Sequence, residues 1–246
     1  MHMFGRLGIP MSRYLCLPGA WMGAWTWQFV LERLRAAGHA AEAHSFPGVG
    51  ERAAELSPAL DNDVFLADTL ERVEREDLRD IVLVGHSFGS LIAQMVADRM
   101  PERIAHLVII DGGIAQDGQS IFGRIPAHIA AKRRTLVQTV NGTEVLPFAP
   151  VGSLIIDDPA LAAWTHRQLT PHPVACYTKP IRLQHPAGNG RPMTYIACTS
   201  PRYPVSAGTH EKVQAMPHIR FRPIAAGHNC ILSAPDLVAD ELLAVP

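Results

Sequence analysis

The chain has 246 residues, of which 48% are hydrophobic, and its formal net charge at pH 7 is −1. This length and hydrophobic content suffice for one substantial core and favour one domain with an insertion over two equal domains. The charge is nearly balanced and no run of five like charges occurs, so the sequence lacks the electrostatic features of nucleic-acid and membrane-surface binders. We therefore expect neither nucleic acid nor a membrane as a partner.

The four cysteines lie far apart and have neither CxxC nor Cys/His metal spacing: Cys16, Cys176, Cys198 and Cys230. Two of them fall inside apolar runs, where a reduced thiol packs as a small hydrophobic group. No apolar stretch reaches the roughly 18 residues that a membrane span needs. Residues 1–10 are too short and too interrupted for a signal peptide, so we interpret them as a tail, an upstream start or a cloning remnant. These features predict a cytoplasmic protein.

Apolar runs and amphipathic stretches alternate through the first 111 residues. The predicted strands are 13–18, 40–46, 81–85 and 106–110, and the predicted helices are 25–37, 61–76 and 88–100. Such alternation is typical of a mostly parallel sheet with helices on both faces. The sequence therefore predicts an α/β fold.

The alternation is interrupted after residue 111. Between 112 and 191 the sequence indicates helices at 127–140 and 159–169 but no convincing strand. The later predicted elements are strands 193–199 and 219–224, a helix at 207–216 between them, and a last helix from 235. A long segment without strands, between two strands of one sheet, predicts an inserted helical cap. We assign 11–111 and 192–246 to the core and 112–191 to the cap.

A G-x-S-x-G pentapeptide, Gly-His-Ser-Phe-Gly, occupies residues 85–89 between a predicted strand and a predicted helix. In this setting the serine lies on a tight strand-to-helix turn that exposes its hydroxyl as a nucleophile. The flanking glycines permit a strained backbone and close neighbours. We predict that Ser87 is the nucleophile; the alternative is a serine that only caps the helix.

A serine hydroxyl needs a base to remove its proton. His228 follows the last predicted strand and precedes the last helix. Where a serine lies on such a strand-to-helix turn, the histidine that serves as its base comes late in the chain. The remaining histidines are less well placed, and four in the cap are candidates for substrate contact: His128, His166, His172 and His185. We predict that His228 is the general base; the alternative is a loop histidine without a role.

An acyl-transfer site also needs two N–H donors for the oxyanion of the tetrahedral intermediate. One is the backbone N–H of Phe88, directly after the nucleophile. The loop Pro-Gly-Ala-Trp after the first strand offers the backbone N–H of Ala20, and Gly19 lets this loop pass close to the serine. The alternative for this loop is an ordinary Pro-Gly turn.

Six segments together resemble the α/β-hydrolase subfamily that contains plant methyl-salicylate-type esterases and hydroxynitrile lyases, and its bacterial relatives most: LCLPGAWMGAWTW, FPGVGER, IVLVGHSFGS, RIAHLVIIDGGIAQDGQS, YIACT and AAGHNCILSAPDLVADEL. The resemblance spans residues 15–243 apart from the cap. It implies the α/β-hydrolase fold, a Ser–His–acid triad, and a buried pocket between core and cap. It also implies a small-molecule ester substrate with no cofactor or metal, and it allows a homodimer.

Two positions depart from the resembling family. The family acid usually follows the YIxCT strand, where this chain has Pro201. Asp111 ends the preceding strand, from which an acid can reach the same histidine, so we predict it as the triad acid. The alternatives are an aspartate that only orders its turn and a triad without a direct acid. The resembling lyases carry a lysine after the catalytic histidine, and the neutral Asn229 found here favours ester hydrolysis over cyanohydrin cleavage.

The aromatic residues near the predicted site indicate an apolar pocket, and we predict that Trp21 and Trp164 line it. The sequence thus predicts a serine hydrolase of the carboxylesterase type. It would cleave a small to medium hydrophobic or aromatic ester through an acyl-enzyme. The alternatives are a C–C bond hydrolase or an acyltransferase with the same triad, and a non-catalytic ligand-binding receptor.

Overall fold

The computed structural model describes residues 11–148 and 154–245, so the predicted tail at 1–10 lies outside the described residues. The strands of the described part are β1 (Arg13–Leu17), β2 (Ala40–Ala43), β3 (Ile81–His86), β4 (Ile104–Ile110), β5 (Gln138–Val140), β6 (Thr143–Leu146), β7 (His172–Pro173), β8 (Met193–Cys198) and β9 (Ile219–Ile224). Six of them form a parallel sheet in the order β2-β1-β3-β4-β8-β9.

The α-helices of the same ranges are α1 (Gln28–Ala36), α2 (Asn62–Arg75), α3 (Gly89–Arg99), α4 (Ile121–Arg124), α5 (Ala127–Arg134), α6 (Pro159–Gln168), α7 (Ala175–Thr178), α8 (Ala207–Gln214), α9 (Cys230–Ser233) and α10 (Pro235–Leu243). Among these helices, none is both long enough and apolar enough to cross a bilayer. The α/β fold predicted from the sequence is confirmed.

The central sheet is buried on both faces, because side chains of successive strand residues point to opposite sides. In β1, Leu15 and Leu17 belong to one hydrophobic cluster, with α2 and α3, whereas Tyr14 and Cys16 belong to a second, with α1, α9 and α10. Every residue of β3 is buried. This two-sided burial explains why the central strands are continuous apolar runs in the sequence.

The segment between β4 and β8, residues 112–191, is inserted between two neighbouring strands of the sheet and contains helices α4–α7. It also contains an antiparallel sheet, β5-β6-β7, that the sequence analysis missed. Asn141 and Gly142 connect β5 to β6 with φ of 49° and 75°, as the Asn-Gly turn of a tight hairpin requires. The predicted helix at 127–140 is therefore wrong beyond Arg134, because its last residues form a strand.

His172 in β7 is fully buried in an aromatic cluster and, among the described residues, neither ring nitrogen has a hydrogen-bond partner. Its ring centroid lies 4.5 Å from that of Phe88 and 5.5 Å from that of Tyr177. Burial disfavours the charged imidazolium and lowers the pKa of His172 from 6.5 to about 3. The side chain is consequently neutral in the folded protein under all mild conditions.

Because of His172, the free energy of unfolding should fall as the pH drops below 6.5. Above pH 6.5 His172 is neutral in both states, but below it the unfolded chain binds a proton that the folded chain does not. Between pH 7 and pH 5 this difference removes about 2 kcal/mol of unfolding free energy. Urea unfolding at the two pH values should show that His172→Phe loses about 2 kcal/mol less than the wild type. An equal loss in both proteins would contradict the assignment of a neutral buried imidazole.

Candidate active site

Ser87 lies on the sharp turn between β3 and α3 and has a φ of 50°, in the left-handed region that favours glycine. Its backbone N–H donates a hydrogen bond of 2.9 Å to the carbonyl oxygen of Ile110 at the end of β4. This bond extends the β3–β4 pairing past the last strand residue and holds the strained turn at the carboxyl edge of the sheet. Ligands of open parallel sheets bind at this edge.

The glycines on either side of Ser87 allow backbones to approach closely. A Cβ at Gly85 would lie 2.5 Å from the Cα of Ser90. A Cβ at Gly89 would lie 2.5 Å from the carbonyl oxygens of Leu17 and Pro18. The pentapeptide therefore has glycine at these two positions because no side chain fits there.

The structure brings Ser87, His228 and Asp111 into one hydrogen-bonded row. The Ser87 Oγ is 2.9 Å from the His228 Nε2, and the His228 Nδ1 is 2.6 Å from the Asp111 Oδ2. Because a carboxylate only accepts hydrogen bonds, Asp111 fixes the proton on Nδ1 and leaves Nε2 free to accept the serine proton. This is the arrangement that nucleophilic attack by serine requires.

Asp111 is fully buried and receives further hydrogen bonds on its other carboxylate oxygen. Its Oδ1 lies 2.6 Å from the His210 Nε2 and accepts a longer bond of 3.4 Å from the backbone N–H of Cys198. Burial opposes ionisation, but the hydrogen bonds from His210 and His228 outweigh it and lower the pKa of Asp111 below its ordinary value. The carboxylate is therefore charged at neutral pH.

His210 is a site residue that the sequence analysis missed. It lies on α8, is buried, and shares the inward face of that helix with Val213, three residues later. From helical spacing alone, a functional histidine on the inward face of a helix cannot be distinguished from a structural one. Its role depends on the packing of α8 against β9, which brings the imidazole to Asp111 at the end of β4 and which no local motif indicates.

Two further side chains hold the imidazole of His228 in place. The ring of Tyr203 stacks on it, with centroids 4.0 Å apart and an interplanar angle of 27°. His86 is buried, which lowers its pKa to about 3, and its Nε2 lies 2.7 Å from the backbone carbonyl oxygen of His228. A neutral His86 therefore donates to the loop that carries His228. The sequence analysis did not identify Tyr203 as part of the site.

The predicted oxyanion donors lie beside Ser87. Ala20, Phe88 and Ser87 line the same cavity. Within the described part of the chain, the backbone N–H groups of Ala20 and Phe88 donate to no acceptor. Gly19 lies against Ser87, because a Cβ there would be 3.4 Å from the serine Cβ. Two unengaged donors next to a serine hydroxyl fit the requirements of an oxyanion hole.

The site opens into a cavity of about 480 Å³ between the carboxyl edge of the sheet and the inserted segment. Its apolar and aromatic lining includes Trp21, Ile125, Leu146, Phe148, Leu154 and Tyr177. The indole N–H of Trp21 donates to the carbonyl oxygen of Leu146 at 3.0 Å, which fixes the ring at the cavity wall. The prediction that Trp21 lies at the pocket agrees with this geometry.

Trp164 does not line the cavity, in contrast to its prediction from sequence. It belongs to α6, and its ring meets Trp25 edge-on with centroids 5.2 Å apart and Phe29 at 6.4 Å. Trp164 therefore packs on the aromatic side chains next to α1 and not on the loops around Ser87. The four histidines of the inserted segment likewise fall outside the cavity lining.

The close approach of backbones at the Ser87 turn predicts that alanine substitutions at two glycines have opposite effects on stability. Gly85→Ala should lower the free energy of unfolding by about 1–3 kcal/mol or more, because its new methyl group meets backbone. Gly208→Ala on α8 is the matched control: a Cβ there meets nothing within 4 Å, and helix propensity should stabilise the protein by up to about 1 kcal/mol. Urea unfolding measures both values, and equal effects would contradict the tight turn.

The Asp111–His210 hydrogen bond predicts a kinetic role for His210 as a positioning residue. His210→Leu removes a donor to a charged acceptor and should lower kcat about tenfold or more, with little change in KM. His210→Gln keeps a donor near the position of Nε2 and should recover much of the rate. If kcat in both variants simply followed the folded fraction measured by unfolding, the role of His210 would be structural only.

A model of the alpha/beta hydrolase family matches residues 14–241 of this chain. The carbendazim hydrolyzing esterase of Nocardioides sp. (strain SG-4G) is 27% identical over 248 residues, which cover 96% of this chain and 100% of that protein. Esterase PIR7B of Oryza sativa subsp. japonica is 30% identical over 101 residues, which cover 40% of this chain and 38% of that esterase. The resemblance noted from the sequence is confirmed.

Solved structures show the same fold. An extracellular alpha/beta-hydrolase from a Paenibacillus species, described as a structural and functional homologue of tobacco salicylic acid binding protein 2, matches with a TM-score of 0.79 at 21% identity over 96% of this chain and 98% of its own. The Arabidopsis methylesterase MES16 matches with a TM-score of 0.77 at 16% identity over 95% and 98% of the two chains. By fold and by family model, this chain belongs to the alpha/beta hydrolase family.

Proposed function

We propose that this chain is a serine esterase of the carboxylesterase type, with Ser87 as nucleophile, His228 as general base and Asp111 as the triad acid. The single observation that carries the proposal is the continuous row of contacts, 2.9 Å from the serine hydroxyl to the imidazole and 2.6 Å from the imidazole to a buried carboxylate. The esterases among its relatives support the same reaction class.

The mechanism follows from the order of these groups. The Nε2 of His228 takes the hydroxyl proton as Ser87 Oγ attacks the ester carbonyl carbon. The oxyanion accepts hydrogen bonds from the N–H groups of Ala20 and Phe88, and Asp111 stabilises the imidazolium that forms. When the tetrahedral intermediate collapses, His228 returns the proton to the departing alcohol. Water then attacks the acyl-enzyme with the same histidine as base, which releases the acid and restores the serine.

The cavity supports an ester of small to medium size with apolar or aromatic parts, because aromatic and aliphatic side chains form much of its wall. Its inner wall comes from the parallel sheet edge, and the rest of the wall comes from residues 112–191 and from part of 203–216. We propose that 112–191 is the cap over a core formed by 11–111 and 192–246. Asn229, after the base, is neutral, and its side-chain amide donates to the carbonyl oxygen of Leu154. An occupied neutral donor favours hydrolysis over release of a cyanide anion.

Substitution of Ser87 tests the proposal. Ser87→Ala should abolish turnover of a short-chain p-nitrophenyl ester, with a loss of a few thousandfold or more, because no other group here forms the acyl-enzyme. Stopped-flow measurement on the wild type should show a burst of p-nitrophenol that the variant lacks. Ser57→Ala, outside the cavity lining, is the control and should retain wild-type kinetics. A Ser87→Ala protein with more than about a tenth of the wild-type rate would refute the proposal.

A further inference from the structure

The cavity beside Ser87 carries an excess of positive charge. Four cationic side chains line it: Arg124, Lys132, Arg133 and Lys212. The one acidic residue of the described lining is Asp111, and its carboxylate is already engaged by two histidines. An apolar neutral ester needs none of these cations. Their positive charge in the wall therefore favours a ligand that carries an anionic group.

Arg124, on the last turn of α4, is the least compensated of the four. Its Nη1 donates a long hydrogen bond of 3.3 Å to the carbonyl oxygen of Ile114, and its guanidinium packs directly on the backbone of Gly113. No carboxylate of the described chain lies within 4 Å of it. Burial lowers the pKa of Arg124 to about 10, so it remains protonated at neutral pH. A partly buried cation without a counterion is unfavourable unless a ligand supplies one.

Most of the other partly buried arginines of the described chain are paired with carboxylates. Outside the cavity, each arginine of intermediate exposure in the described ranges has a carboxylate within 4 Å: Arg33, Arg52, Arg72, Arg99, Arg103 and Arg222. Arg124 and Arg133 are the two described exceptions, and both line the cavity. Among the partly buried arginines of the described chain, the missing counterions are thus confined to the cavity.

Arg133 lies near the catalytic base. Its Nη2 donates to the hydroxyl of Tyr203 at 3.0 Å, and the ring of Tyr203 stacks on His228. Its guanidinium carbon is 5.7 Å from the ring centroid of Trp21 and 5.9 Å from that of Tyr177. These aromatic faces hold the guanidinium without neutralising it. Arg133 can therefore still bind an anion.

We propose that the ester cleaved at this site carries a second, ionised group, a carboxylate or a phosphate, and that Arg124 and Arg133 bind it. This inference rests on the proposed esterase function and narrows its substrate class. A guanidinium presents paired N–H donors that match both anions in geometry. The exposed Lys132 and Lys212 add positive potential, which attracts an anionic ester toward the cavity.

The first experiment needs no variant. Hydrolysis of monomethyl esters of dicarboxylic acids with four to eight carbons is compared with hydrolysis of methyl esters of monocarboxylic acids of equal length. Methyl esters of phosphonocarboxylic acids test whether a phosphate-like anion is preferred over a carboxylate. Acetate esters of hydroxycarboxylic acids test whether the anion belongs to the alcohol part of the ester and not to the acyl part. We expect kcat/KM at one length or more to favour the charged ester by about tenfold or more. A preference for the neutral ester throughout would overturn the inference.

Variants then test which side chain causes the preference for the charged ester. In Arg124→Gln the charged-to-neutral ratio of kcat/KM should fall toward one, and Arg124→Lys should retain part of it. Arg134→Gln is the matched control, since Arg134 lies on the same part of the chain but packs over Phe122, with its guanidinium carbon 4.6 Å from the ring centroid, outside the cavity lining. It should keep the wild-type ratio. A ratio that survives in Arg124→Gln would remove Arg124 from the binding site.

A binding measurement separates this inference from the proposed function. Titration calorimetry of wild-type protein and of Ser87→Ala with adipate, glutarate and inorganic phosphate reports anion binding without turnover. We expect saturable binding of at least one of these anions in both proteins and at least tenfold weaker binding in Arg124→Gln. Binding without any ester hydrolysis would refute the esterase and keep the anion site. Ester hydrolysis without anion binding or charge preference would keep the esterase and refute the anion site.

Discussion

The buried carboxylate of Asp111 is the constraint around which the candidate site is organised. It accepts hydrogen bonds from two imidazoles that come from distant parts of the chain, His210 on α8 and His228 after β9. A charge in this position is tolerated only while both oxygens are satisfied, because an unpaired buried carboxylate is strongly destabilising. The packing of α8 and the loop after β9 is therefore coupled to the state of one side chain.

Much of the core could be predicted from sequence, because two-sided burial makes β3 and β4 continuous apolar runs and the pentapeptide around Ser87 combines several signals in one place. The position of Asp111 followed from the strand that it ends. Other features depend on tertiary packing: His210 and Tyr203 have no local motif, and Trp164 proved to pack near α1. The β5–β6 hairpin was missed although Asn141-Gly142 is a strong turn signal, since its strands are too short to show alternation.

The two parts of the cavity wall have different chemistry. The sheet edge supplies Ser87, His228 and the backbone donors, whereas residues 112–191 supply arginines, a lysine and several apolar and aromatic side chains of the lining. The proposed reactive groups therefore all come from the core, and much of the remaining wall comes from the insertion. This division is common where functional loops are carried by a rigid scaffold.

The sheet joins the two ends of the inserted segment. The backbone N–H of Asp111 donates to the carbonyl oxygen of Ile196 at 2.9 Å, so the last residue before the insertion is bound to the strand that follows it. The sheet itself therefore closes this junction, and the cost of closing the loop grows only slowly with its length. Inside the insertion the chain is less free, because the carbonyl oxygen of Leu146 accepts a hydrogen bond from Trp21 and that of Leu154 accepts one from Asn229. A change of length is thus tolerated more easily than a change of sequence at the residues that contact the core.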